Sequence, residues 1–130
     1  MNKVYNDYML GDFESSVFKA YKLLEETVRK KSNLKPTDYG VPLMDKAFKP
    51  NVGILSHPAA ETPGEQDGIC FLMRGAYSTF KNPRSHRTVD WADPNTIIEV
   101  LVLAKLLLDI VDQCEMRQVE PSNPGSPTYK

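Results

Sequence analysis

The stretch DPNTIIEVLVLAKLLLDIVDQC, residues 93–114, decides how the rest of the chain is read. Asp93 is a strong N-cap residue, and Pro94 suits the first helical position because its missing N–H is not needed there. From Ile97 to Val111 every residue except Glu99, Lys105 and Asp109 is apolar, so apolar side chains cover most of the helix circumference. A helix of that kind is buried on more than one side. It is either the central helix of a core or a helix that also joins a dimer seam, with Leu103 and Leu107 as candidate seam positions. It is too short, and too interrupted by charge, to span a membrane.

Working back along the chain, Phe13, Val17, Ala20, Tyr21, Leu24 and Val28 recur at three- and four-residue steps and predict a helix over residues 12–31. Asp12 is its candidate N-cap, Glu14 lies in the first turn, and Arg29, Lys30 and Lys31 lie in the last, as the helix dipole favours. Glu25 and Glu26 sit among Lys22, Arg29 and Lys30, a pattern that predicts i,i+4 pairing on a solvated face. Pro36 and Gly40 then interrupt the helix, and a short helix follows over residues 42–48, burying Leu43, Met44, Ala47 and Phe48. Residues 49–64 read as a long loop, with His57 exposed on it and short apolar pieces such as Val52 to Leu55 able to pair locally. A third long helix is predicted from about Gly64 to Phe80, with Cys70, Met73, Tyr77 and Phe80 as its stripe and Leu72 and Ala76 widening it. Pro83 disfavours helical geometry at Asn82, so this helix ends near Lys81. Residues 115–130 hold three prolines and little to bury, which predicts a disordered tail behind a domain of residues 1–114. No strand alternation is visible. The expected fold is all-α, a helical bundle of three long helices and one short one.

A length of 130 residues suits one domain with a real core. The net charge of −1 excludes a bulk electrostatic affinity for nucleic acid or anionic membrane, so any such binding must come from a local patch. Cys70 and Cys114 are far apart, lack CxxC spacing and sit in apolar contexts, which predicts buried reduced thiols and fits a cytoplasmic protein. The first ten residues have neither the apolar run nor the cleavage site of a signal peptide.

Such a patch exists. Residues 74–87, RGAYSTFKNPRSHR, carry Arg74, Lys81, Arg84, Arg87 and His86 and no acidic residue. Arginine grips phosphate through a planar fork and lysine as a point charge. Histidine is the side chain whose ordinary pKa suits proton transfer near neutrality. Together they are equipment for cleaving a phosphodiester without a metal. On spacing alone the same residues also make a solvated turn or a helix cap. His57 and His86 have no metal-ligand spacing, and no phosphate loop, dinucleotide fingerprint, nucleophile elbow or HExxH motif occurs, so neither a metal nor a cofactor is expected.

The string GAYSTFKNPRSHR, residues 75–87, resembles the signature of the HEPN superfamily, an arginine, four residues and a histidine. It is most similar to the branch often called Ymh-like, where the motif reads arginine-Asn-Pro-x-x-His. GDFESSVFKAYKLLEETVRKKS, GVPLMDKAFKP and DWADPNTIIEVLVLAKLLLDIVD resemble that branch's first, middle and closing helices, so the resemblance spans roughly residues 8–114 in order. It implies an all-helical domain that forms a homodimer or higher homo-oligomer, with the two motifs facing each other. It further implies a metal-independent ribonuclease leaving 2′,3′-cyclic phosphate ends, of the kind common in toxin–antitoxin, abortive-infection and antiviral defence systems. RNA, a second copy of the chain and an antitoxin or other defence protein are the implied partners. By position, His86 is the implied catalytic histidine, Asn82 the motif's polar residue, and Lys81 stands where the branch has arginine. Arg84 occupies a variable motif position; Arg87 and Arg74 are added here as auxiliary phosphate contacts from their charge and place alone. Lysine keeps the charge at position 81 but loses the bidentate fork. The alternative reading is a weakened module that binds RNA or nucleotide, or mediates assembly, without cleaving.

Overall fold

The structure is a computed structural model that describes residues 1–81 and 93–118. Among the described residues the chain forms α1 (Asn2–Met9), α2 (Phe13–Lys31), α3 (Gly40–Phe48), β1 (Leu55–Ser56), α4 (Pro63–Phe80), α5 (Pro94–Gln113) and β2 (Glu115–Met116). The all-α expectation stands, with a two-residue antiparallel β1–β2 pair added.

Local chemistry explains where the helices begin and end. The Asp12 carboxylate accepts from the Ser15 N–H at 3.3 Å and starts α2. Asn33, at a φ of 54°, ends it: Asn33 N–H bonds to Lys30 O and Leu34 N–H to Arg29 O, satisfying the last carbonyls. Thr62 and Glu65 form a reciprocal capping box at the start of α4, followed by Pro63. The Asp93 side chain accepts from Asn95 N–H at 2.9 Å and starts α5. Helix α3 begins at Gly40, two residues before the predicted start, because Gly40 adopts a φ of 69° that lets the chain turn into the helix.

The central helix is α2, which packs against each of the other four. Its buried Val17, Ala20, Tyr21, Leu24 and Val28 meet a core that includes Ile97, Leu101, Ala104, Leu107 and Val111 of α5. The Tyr21 hydroxyl, inside that contact, donates to Val100 O at 3.0 Å. Helix α5 is therefore one wall of the core. Of the candidate seam positions, Leu107 is fully buried and Leu103 partly so, whereas Ile98, Val102 and Leu106 are 41%, 60% and 52% exposed and form an outer apolar stripe at four-residue steps.

Other expectations are corrected. Helix α1 was not anticipated, because Val4 is its only buried residue and leaves no periodicity to read. Leu72 does not widen the buried stripe of α4; it is 41% exposed, while Ala76 is buried. Residues 115–117, expected within the tail, lie on the fold: Glu115 and Met116 pair with Ser56 and Leu55, and Arg117 donates through N–H to Ile54 O and through Nε to Gly53 O, both at 2.7 Å. The rest of that tail from residue 119 lies outside the described residues. Gly53 leaves no room for a side chain, since an added Cβ would sit 2.7 Å from Ala47 O, Lys49 N and Lys49 O.

Candidate functional site

Helix α4 carries the chain to the basic motif, and Lys81 is its C-cap, its N–H bonded to Tyr77 O at 2.9 Å. A cation there also suits the negative end of the helix dipole. The Lys81 side chain folds back toward α2, and its ammonium lies 5.6 Å from the centroids of both the Phe18 and the Tyr77 rings, within cation–π range. Phe18 also lines a groove of about 370 Å³ beside Asp12, Glu14 and Ser15 at the start of α2. Next to Lys81, Phe80 is partly buried with its ring 5.3 Å from Tyr21.

Tyr77 is buried and cannot swing away, because its hydroxyl donates to Glu25 Oε2 at 2.5 Å. The same oxygen accepts the Gly40 N–H at 3.0 Å, and Glu25 Oε1 lies 3.9 Å from Arg29. Glu25 is thus not on a solvated face as its neighbours suggest. It is 7% exposed and joins α2, the start of α3 and α4, whereas Glu26 does face solvent. Arg29 bridges onward to Asp38 O at 3.3 Å.

Burial, and then the Glu25 carboxylate, push the Tyr77 hydroxyl well above the ordinary tyrosine value. Burial, and then Asp45, push the Cys70 thiol up to about 11 from 9.0. Both groups are held protonated in the fold, so the stability they contribute is full below their ordinary values and is lost as pH rises past them. Thermal unfolding is therefore expected at progressively lower temperature above about pH 9, with the Cys70→Ala and Tyr77→Phe variants each showing a shallower alkaline decline than the wild type. A scan of melting temperature against pH checks this.

The two described site candidates point in different directions. Lys81 reaches α2, whereas Arg74, two turns earlier on α4, pairs through Nε with Asp45 of α3 at 3.4 Å. Asp45 also accepts from Cys70 Sγ at 3.6 Å. Asn82, Arg84, His86 and Arg87 lie outside the described residues, between the end of α4 and the start of α5. His57, expected to be exposed, is partly buried and tied down: the Ala59 N–H donates to its Nδ1 at 3.1 Å, so Nε2 carries the proton and donates to Gln113 Oε1 at 2.8 Å. Both cysteines are buried and free. Among the described residues no group of His, Cys, Asp and Glu gathers as metal ligands, and no helix is long and apolar enough to cross a membrane.

Sequence reasoning missed Phe18, Tyr77 as more than a core ring, and Glu25. Phe18 carried a signal, being an aromatic residue that falls off the buried stripe of α2. Glu25 carried one too: it falls four residues after Tyr21 and three before Val28, beside the buried stripe, whereas Glu26 falls on the opposite face.

No curated protein and no solved structure matches the chain. A family model described as a protein of unknown function, Hypoth_ymh, matches residues 1–111. The match covers α1 through nearly all of α5, and the chain belongs to the Hypoth_ymh family.

Proposed function

We propose that this chain is a HEPN-type, metal-independent ribonuclease that acts as a dimer in the cytoplasm, as an effector of antiviral defence or of a toxin–antitoxin pair. The observation that carries the reading is the cation at the end of α4. Lys81, the first motif residue, is drawn between two rings at the point where the chain passes to Asn82 and His86.

In this reading His86 accepts the proton of a ribose 2′-hydroxyl while the 2′-oxygen attacks phosphorus. The bond from phosphorus to the 5′-oxygen breaks, and the leaving oxygen takes up a proton, giving a 2′,3′-cyclic phosphate and a 5′-hydroxyl. Lys81, Arg84 and Arg87 stabilise the charge that builds on the phosphorane, and Asn82 hydrogen-bonds near it. Arg74 contributes only if it exchanges Asp45 for phosphate, which makes it the weakest of the six assignments. Incubating the protein with single-stranded RNA in excess chelator tests the reading: cleavage by the wild type and a loss of about 10²–10⁴-fold in His86→Ala is expected.

The second copy is proposed to cover the outer stripe of α5, where Ile98, Val102 and Leu106 lie beside the Lys105–Asp109 ion pair. Three large apolar side chains in line on one helix suit a self-complementary two-fold contact. Val102→Glu is expected to convert the dimer to a monomer in light scattering while changing monomer stability by no more than about 0.5 kcal/mol, because the site is on the surface. A dimer that survives the substitution at low protein concentration places the seam elsewhere. A module that binds RNA without cleaving it is the second reading, favoured by a lysine at position 81 where the resemblance expects arginine.

A further inference from the structure

We infer that Phe18 and Tyr77, the latter anchored by Glu25, are positioning residues that hold the Lys81 ammonium and make this a site built for lysine rather than arginine. The inference rests on the ribonuclease reading above and concerns residues outside the motif.

Three observations converge. The ammonium is equidistant from two rings, 5.6 Å from each centroid, and the rings come from different helices, so it sits in a shared aromatic cleft and not over one chance neighbour. One wall is immobile: Tyr77 is 1% exposed and its hydroxyl is held by a carboxylate that is itself buried and fixed by a backbone N–H of α3. The other wall, Phe18, stands off the buried stripe of α2 and is only partly buried, so among the described residues core packing does not account for an aromatic residue there.

The physical consequence separates the two cations. An ammonium is a compact charge that can face two ring surfaces at once, and its long flexible stem is the part that needs restraint. A guanidinium is planar and larger. It stacks well on one ring, but with the second ring fixed from behind by Glu25 it must leave the cleft or push Phe18 aside. The rings therefore supply to lysine the orientation that the fork supplies to arginine. Lys81→Arg, on this account, lowers activity.

The test pairs kinetics with a probe independent of cleavage. RNA cleavage by the full chain is measured for Phe18→Leu, Phe18→Tyr and Lys81→Arg, and the Cε protons of 13C-labelled lysines are recorded by NMR, with Lys81 assigned by its loss in Lys81→Gln. Expected are a Lys81 signal shifted upfield by the two rings, partial loss of that shift in Phe18→Leu, and its retention in Phe18→Tyr. Cleavage should fall about fivefold in kcat for Phe18→Leu, one cation–π contact's worth, with KM little changed and recovery in Phe18→Tyr. A purely structural role for Phe18 predicts no lysine-specific shift. If wild type cleaves but Phe18→Leu matches it, or Lys81→Arg exceeds it, the positioning claim is overturned while the ribonuclease reading stands. If Lys81 resonates with the other lysines, the aromatic cleft is overturned whatever the activity. If neither wild type nor His86→Ala cleaves, the ribonuclease reading fails and the catalytic part of the claim falls with it, while the NMR shift still reports whether the ammonium is held.

Discussion

Glu25→Ala lowers the melting temperature by about 10 to 20 °C, whereas the adjacent Glu26→Ala leaves it nearly unchanged. The two carboxylates are neighbours on α2, yet only Glu25 is buried, and it accepts both the Tyr77 hydroxyl and the Gly40 N–H. Removing it strands the buried Tyr77 donor and the partly buried Gly40 donor, each costing about 1–3 kcal/mol. A total of about 3–4 kcal/mol corresponds to the stated drop for a domain of this size, at about 3–5 °C per kcal/mol. Glu25→Gln, which keeps an acceptor but not the charge, falls between. Calorimetry on the three variants checks the order. Equal melting temperatures for Glu25→Ala and Glu26→Ala would contradict the buried network.

His86→Ala reduces RNA cleavage by about 10²–10⁴-fold, the range that a positioned general acid–base contributes. His57 is no substitute, because both of its ring nitrogens are engaged, by Ala59 and Gln113. His57→Ala is therefore expected to leave cleavage unchanged. RNA affinity, measured as a function of salt, should change far less in His86→Ala than the rate does, since the phosphate contacts are assigned to Lys81, Arg84 and Arg87. A parallel loss of affinity and rate would recast His86 as a binding residue.

How far the sequence could be read depended on whether a signal was local. The starts of α2 and α5 were visible in Asp12, Asp93 and Pro94, because capping is decided by a few adjacent residues. The core of α3 was visible in Leu43, Met44, Ala47 and Phe48 for the same reason. Helix α1 was not, with Val4 as its lone anchor, nor was a β pair of two residues a strand, too short to show alternation. On α5 the apolar residues were plain but their division was not: Leu107 is buried and Leu106 is exposed, a choice made by where α2 lies. The basic motif was legible as chemistry. Its supporting residues were not, because Glu25 and Tyr77 are 52 positions apart and meet only once α2 and α4 pack.

The most direct measurement is the end group of RNA after incubation with the purified chain in excess EDTA. The account predicts that wild type generates 2′,3′-cyclic phosphate and 5′-hydroxyl ends and that His86→Ala generates them about 10²–10⁴-fold more slowly. Intact RNA with the wild type, cleavage that EDTA abolishes, or equal cleavage by His86→Ala would contradict it.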